Sequence, residues 1–374
     1  MNENKKKSIK IDKSVFSPQN PLIIAELGTS HNGSIDKAKE LINAAAQAGA
    51  GCIKFQMVFA DEILSPNTGE VPLPGGKIRL YDRFKALELE KEFYEEVKEY
   101  TESKGILFLC TPFGLKSASI LRQLQPKMVK IASPELNFTS LLEEIAGWEL
   151  PVLLSSGVSR LSDIETAIEI FKNKKNSSLC LLHCVTSYPA PETDYNLSVL
   201  PSLAAIFGVP VGISDHSSDP ELVPALSIAM GAAVIEKHFC LSKTDPGLDD
   251  PIALPPEDFS KMTRAIKRAA KAAENETIAC YSRERGKDLV RQILGSGVKE
   301  LAPSEKANYR LTNRSIHALR DIQKGEIIKK GDYACLRTEK ILRPGLEPIW
   351  EKNIEGRTAK NFIPSGEGIR FEDI

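Results

Sequence analysis

His216 and His238 occupy matching places in two segments, "VGISDHSSDP" and "AAVIEKHF", each a short apolar run that ends in polar residues. Neutral imidazoles are common ligands for a divalent ion. The seven cysteines include no CxxC pair, which leaves an ion held by His and oxygen, such as manganese, cobalt or zinc, as the candidate. Two lysines give a second signal. Lys54 in "IKFQ" and Lys130 in "VKIAS" lie inside apolar runs, where an ammonium group is costly unless it meets an anion. Ser133, Ser155, Thr186 and Ser214 add hydroxyls in segments of the same kind. The set suits a phosphate and a carboxylate, with a Schiff-base lysine as the competing chemistry.

Something must bring these residues together. From residue 21 to about 275, β-rich runs alternate with helical patterns: "PLIIAEL", "AGCIKFQ", "GILFLC", "KMVKIA", "PVLLSS", "SLCLLHC", "VPVGIS" and "AAVIEKHF" are the strand candidates. Helical patterns such as "SIDKAKELINAAAQAG", with Ser34 as N-cap, lie between them. Eight such repeats suit a closed (β/α)8 TIM barrel, whose active site forms at the C-terminal ends of its strands. A doubly wound open sheet is the alternative, but no GxGxxG follows the first strand. The strand ends carry Glu26, Lys54 with Gln56, Thr111, Lys130 with Ser133, Ser155, His183 with Thr186 and Tyr188, Ser214 to His216, and Glu236 to His238. Four of the five histidines, His31, His183, His216 and His238, fall at these ends. So much polarity aimed at one mouth calls for a polar ligand. Residues 57–88, rich in Pro and Gly, read as a functional loop on the same side.

With 49 basic and 50 acidic residues, net charge −1, the chain has no overall field drawing it to nucleic acid or an anionic membrane. No apolar run approaches the ~18 residues of a membrane span, and the basic opening "MNENKKKSIKIDKS" lacks the apolar core of a signal peptide. A cytoplasmic protein is expected. The division expected is an N-terminal extension (1–20), a barrel (21–280), a linker (281–300) and a small β-rich domain (301–374). In that last part the turns "KGEIIKKGD" and "SGEGIRFED" echo each other.

The motifs "IIAELGTSHNG", "IKFQ", "YDRFKALEL", "TPFG", "VKIASPEL", "HCVTSYPAP", "GISDHS" and "IEKHF", in this order, resemble the N-acetylneuraminate (sialic acid) synthase family. The tail "NRSIHALRDIQKGEII" is similar to that family's antifreeze-like (SAF) domain. The resemblance implies condensation of phosphoenolpyruvate with an open-chain N-acetylated amino sugar, giving a nine-carbon 2-keto acid and phosphate by C–O cleavage. It implies that His216 and His238 hold a divalent metal, manganese with cobalt or magnesium as alternatives, that polarises the aldehyde. Lys54, Lys130, Ser133, Ser155, Thr186 and Ser214 would hold phosphoenolpyruvate. Glu26, Gln56, Tyr188 and Asp249 would contact the sugar or a water at the metal, with Glu26 counted among the catalytic residues. Arg314 would reach the sugar's N-acetyl group from the SAF domain of a partner subunit, in a domain-swapped homodimer. The chain departs from the family's usual residues at Gly114, Pro134, Ser156 and Asp250. The acceptor is N-acetylmannosamine or a relative leading to legionaminic, pseudaminic or spore-coat-type sugars; a sugar-binding protein without turnover is the rival reading.

Overall fold

The computed structural model describes residues 8–73 and 76–374; Pro74 and Gly75 of the 57–88 loop, and part of the N-terminal extension, lie outside them. A hairpin of β1 (Ile9–Ile11) and β2 (Ser14–Phe16) comes first. The barrel strands are β3 (Leu22–Gly28), β4 (Cys52–Met57), β7 (Leu107–Pro112), β8 (Val129–Ile131), β9 (Val152–Ser155), β10 (Leu179–Cys184), β11 (Val211–Asp215) and β12 (Val234–His238). A second hairpin, β5 (Glu70–Leu73) and β6 (Gly76–Arg79), lies within the long loop, and β13 (Arg314–Ala318) and β14 (Tyr333–Arg337) belong to the small domain. Parallel ladders join the barrel strands in the order β7-β4-β3-β12-β11-β10-β9-β8, and β7 and β8 pack side by side to complete the ring. The eight strands are the eight read from the sequence.

Alternation of side chains along a strand sorts the residues by face. Along β4, Ile53, Phe55 and Met57 pack outward under the helices, while Cys52 faces the axis low in the barrel and Lys54 and Gln56 face it higher up. On β12, Val234, Glu236 and His238 follow the same inward series. The axis is therefore apolar below, where Leu22, Ile24, Leu109, Leu153 and Leu182 meet, and polar above. Ile9 and Ile11 of the first hairpin join that lower cluster and close the bottom of the barrel. The outer helices bury one stripe each: Ile35–Gln47 starts at Ser34, whose hydroxyl accepts from Lys37 N, and buries Ala38, Leu41, Ile42 and Ala45.

Past the barrel the basic stretch "RERGKDLVRQILGSG" reads as helical in the sequence, and the structure bears this out while narrowing the linker. Residues 281–300 are mostly helix, with Glu274–Arg285 and Lys287–Leu294 packed against the barrel, so the irregular linker begins only at Gly295. The two echoing turns of the small domain are structural copies. Asp332 accepts from Lys329 N and pairs with Arg320, and Asp373 accepts from Arg370 N and pairs with Arg343. The small domain seats on the barrel mouth of its own chain, through Glu135, Asn137 and Glu143.

Candidate active site

A cavity of about 190 Å³ opens at the C-terminal ends of the strands, and Lys54, Gln56, Lys130, Ser133, Ser155, Tyr188, Ser214, His216, His238 and Asp249 line it. Glu26 stands one contact behind, its carboxylate 2.9 Å from Lys54 Nζ and accepting from Gln56 Nε2 at 2.7 Å. A bulge in the β3–β4 register between Glu26 and Gly28, with Gly28 at φ 51°, turns the chain out of the strand there.

Glu236 organises the inner wall. Its Oε1 lies 2.9 Å from Lys54 Nζ, 3.7 Å from Lys130 Nζ, and accepts from Ser214 Oγ at 2.9 Å. Lys130 Nζ also donates to Ser155 Oγ at 2.7 Å. Burial alone would raise the Glu236 carboxyl, but Lys130 and Lys54 outweigh it and hold it down at about 2. Burial works against the Lys54 ammonium, and Glu236 with Glu26 overcomes it, so Lys54 rests above its ordinary value. Lys130 is pushed down by burial, which Glu236 opposes and the nearby Lys54 ammonium reinforces. Glu236 is absent from the residues singled out as site residues by sequence; its inward-facing position beside His238 was the available signal.

Facing this wall, the His216 and His238 rings lie 5.5 Å apart, and the Tyr188 ring lies 4.2 Å from His216. His216 Nδ1 is 2.9 Å from the Val185 carbonyl, a partner that takes an N–H and leaves Nε2 as the lone-pair nitrogen. Burial lowers His238 despite Asp249, whose carboxylate is 3.7 Å from Nδ1. Among the described residues no cluster of three or more His, Cys, Asp and Glu converges on one point. A divalent ion here would therefore be held by two imidazoles, with its other positions left to water or substrate, one protein ligand fewer than the usual catalytic set. The donor set fits such an ion.

Several expected residues lie elsewhere. His31 packs on Phe55 and Phe93, and His183 Nε2 meets the Tyr195 carbonyl at 2.7 Å. Neither lines the cavity. Asp215 and Lys237 turn outward by strand parity and pair at 2.6 Å. Thr186 stands behind the wall, where a Cβ added to Gly157 would come within 2.2 Å of its hydroxyl and 2.9 Å of Ser133 Oγ. The sequence-based expectation for Arg314 is corrected most strongly. Its guanidinium is fully buried, 2.9 Å from Glu135 and bonded to the carbonyls of Glu62, Phe113 and Cys335. It locks the small domain to the barrel and has no free donor face toward the cavity. Arg337, on β14, lines the cavity instead. Pairing across the β13–β14 ladder puts Arg337 directly opposite Arg314, a neighbour that the sequence spacing hides.

A (β/α)8 barrel with a small cap and this mouth defines a class, and the comparisons give the family. The chain belongs to the NeuB family, whose model matches residues 41–277, and residues 313–374 match the SAF domain. It is 34% identical over 360 residues to the spore coat polysaccharide biosynthesis protein SpsE of Bacillus subtilis, covering 94% of this chain and 93% of that one. The solved structure of SpsE superposes with a TM-score of 0.82 at 33% identity, covering 98% of this chain and 99% of that one. An N,N'-diacetyllegionaminic acid synthase of Legionella pneumophila is 34% identical over 94% of both chains. A pseudaminic acid synthase of Campylobacter jejuni is 32% identical over 97% of both.

Proposed function

We propose that the chain is a nonulosonic acid synthase, condensing phosphoenolpyruvate with the open-chain aldehyde of an N-acetylated amino sugar to give a nine-carbon 2-keto acid and phosphate. One observation carries the reading: two buried ammonium groups, Lys130 with a hydroxyl partner and Lys54 with two carboxylates, share a single cavity with two imidazoles. The names of the relatives that make legionaminic and pseudaminic acids support it.

Lys54, Lys130, Ser133, Ser155 and Ser214 bind the phosphate and carboxylate of phosphoenolpyruvate, and Glu236 holds the two lysines and Ser214 in place. Thr186 supports that wall from behind. His216 and His238 would hold a divalent ion, manganese first and cobalt or magnesium as alternatives, which would supply Lewis-acid polarisation of the aldehyde oxygen. C3 of phosphoenolpyruvate attacks the aldehyde carbon, water adds to C2, and phosphate leaves with its bridging oxygen. Glu26, held one contact behind the lining by Lys54 and Gln56, would take the water's proton, and Tyr188, Asp249 and Arg337 would line the acceptor's side of the cavity.

We infer further that in solution the chain forms a homodimer in which the small domain leaves the own-chain seating described above and caps the partner's barrel. The contacts of the cap with the mouth are then kept and only the chain supplying them changes; Ile349, Trp350 and Phe371, exposed on the small domain, give a second copy an apolar face to cover. Among the described residues no helix is long and apolar enough to cross a membrane, and the reaction is placed in the cytoplasm, where phosphoenolpyruvate is made. The experiment is phosphate release from phosphoenolpyruvate across a panel of N-acetylated hexosamines, with and without manganese. Release that depends on both sugar and cation supports the reading, and none with any acceptor refutes it.

A further inference from the structure

The linker between the barrel and the small domain grips the barrel mouth by its backbone. Glu305, 1% exposed, accepts through one carboxylate oxygen from both Val158 N and Thr186 N, each at 2.9 Å, while its other oxygen accepts from Ala302 N. Two more linker side chains take the carbonyls of the same two residues. Asn308 Nδ2 donates to Thr186 O at 2.9 Å, and Asn313 Nδ2 donates to Val158 O at 3.2 Å. Thus Val158 and Thr186, which follow β9 and β10, each have both backbone polar groups held by residues 305–313.

Those two residues frame the wall assigned to phosphoenolpyruvate. Val158 ends the turn that begins at Ser155, and it sits at φ 42°, a conformation that a β-branched residue keeps only when its surroundings impose it. Gly157, just before it, donates to Ser133 Oγ at 3.0 Å and packs on the Thr186 hydroxyl. A shift of Val158 or Thr186 would therefore move Ser133 and Ser155, the hydroxyls on the Lys130 side of the cavity.

We propose that Glu305, with Asn308 and Asn313, is a positioning clamp that holds the Ser155–Val158 turn and Thr186 in the geometry that binds the phosphate end of phosphoenolpyruvate. The proposal rests on the reaction proposed above. Glu305 touches no substrate; it acts through two backbone amides. A carboxylate at this point serves better than an amide side chain because both its oxygens accept, matching the three N–H groups aimed at it.

The test compares Glu305→Ala, Glu305→Gln and Asn308→Ala with the wild type in the full-length protein. Phosphoenolpyruvate binding is measured by calorimetry, KM is measured for the sugar, and amide hydrogen exchange is followed at Val158 and Thr186. Glu305→Ala is expected to speed exchange at both amides and to weaken phosphoenolpyruvate binding tenfold or more, with the sugar's KM changed less than twofold. Glu305→Gln, which can keep the shared acceptor oxygen, and Asn308→Ala, which frees only the Thr186 carbonyl, are expected to fall between. Unchanged exchange in Glu305→Ala, or faster exchange with unchanged phosphoenolpyruvate binding, overturns the clamp. Absence of phosphoenolpyruvate binding by the wild type sinks the proposed reaction itself, a different failure from wild-type binding that Glu305→Ala retains.

Discussion

Arg337 Nη2 lies 2.6 Å from the Glu135 carboxylate, and this pair carries a cation of the small domain to the rim of the barrel cavity. Glu135 follows β8 and is fully buried, so the same carboxylate that receives Arg314 also aims Arg337. The guanidinium of Arg337 lies 5.4 Å from the Phe113 ring, which also lines the cavity. One arginine fastens the cap and the other faces the cavity.

The two arginines should therefore fail differently. Arg314→Ala removes a buried guanidinium and leaves three carbonyls without a donor; the expected cost is about 3 kcal/mol, the lower end for breaking a buried pair, because Glu135 keeps Arg337. Arg337→Ala should leave the melting temperature within a few degrees and raise the sugar's KM several-fold, with phosphoenolpyruvate binding little changed. Thermal unfolding and steady-state kinetics on the two variants decide it. A sugar KM that moves only with Arg314 would restore that residue to the acceptor site.

If the proposed metal binds, charge counting gives it a part in anion binding as well as in chemistry. Lys54 and Lys130 are matched by Glu26 and Glu236, so these four groups offer no net positive charge to a trianion. A divalent ion at His216 and His238 would supply positive charge at short range. Chelation is expected to weaken phosphoenolpyruvate binding at least tenfold, and by linkage phosphoenolpyruvate should tighten manganese binding by the same factor. Calorimetric titrations in both orders measure this. Equal phosphoenolpyruvate affinity with and without the ion contradicts it.

Acid stability gives a test outside the cavity. Burial holds His31 at about 4 and His183 at about 3, both below the ordinary 6.5. Each binds a proton on unfolding that it does not bind when folded, so stability is full above pH ~6.5 and falls as pH drops toward the folded values. The slope approaches about 1.4 kcal/mol per pH unit for each histidine. Urea midpoints between pH 7.5 and 5 should show this loss, and His31→Phe, which keeps a ring against Phe55 and Phe93, should flatten it. A slope unchanged in that variant would show that His31 titrates freely when folded.

The barrel and most of its lining were legible because strand parity and strand-end polarity are local signals: Lys54, Gln56, Lys130 and His238 announce themselves inside apolar runs. Parity also explains two misplacements, since Asp215 and Lys237 sit at strand ends yet face the helices. Glu236 was hidden in plain view, because a carboxylate that organises two lysines looks in sequence like any charged strand end. Arg337 and Glu305 had no local signal at all. Their roles come from long-range packing, one across a ladder from Arg314 and the other through backbone amides more than a hundred residues away.

The exchange of caps has a covalent readout. Glu143 on the barrel and Lys352 on the small domain meet at 3.1 Å on the surface of the seam. With cysteines at both positions, Glu143→Cys and Lys352→Cys, a short bis-maleimide should yield a covalent dimer if the cap is donated by the partner. A cross-linked monomer alone would mean that each cap closes over its own barrel.

In the proposed condensation phosphate departs by C–O cleavage, and departure needs both the sugar and the divalent ion. Phosphoenolpyruvate labelled with oxygen-18 at the bridging position, incubated with the protein, manganese and the accepted N-acetylated amino sugar, measures this in one step. The label is expected to leave in inorganic phosphate, and only when sugar and manganese are both present. Label retained in the keto acid, or label released as phosphate without any acceptor, would contradict it.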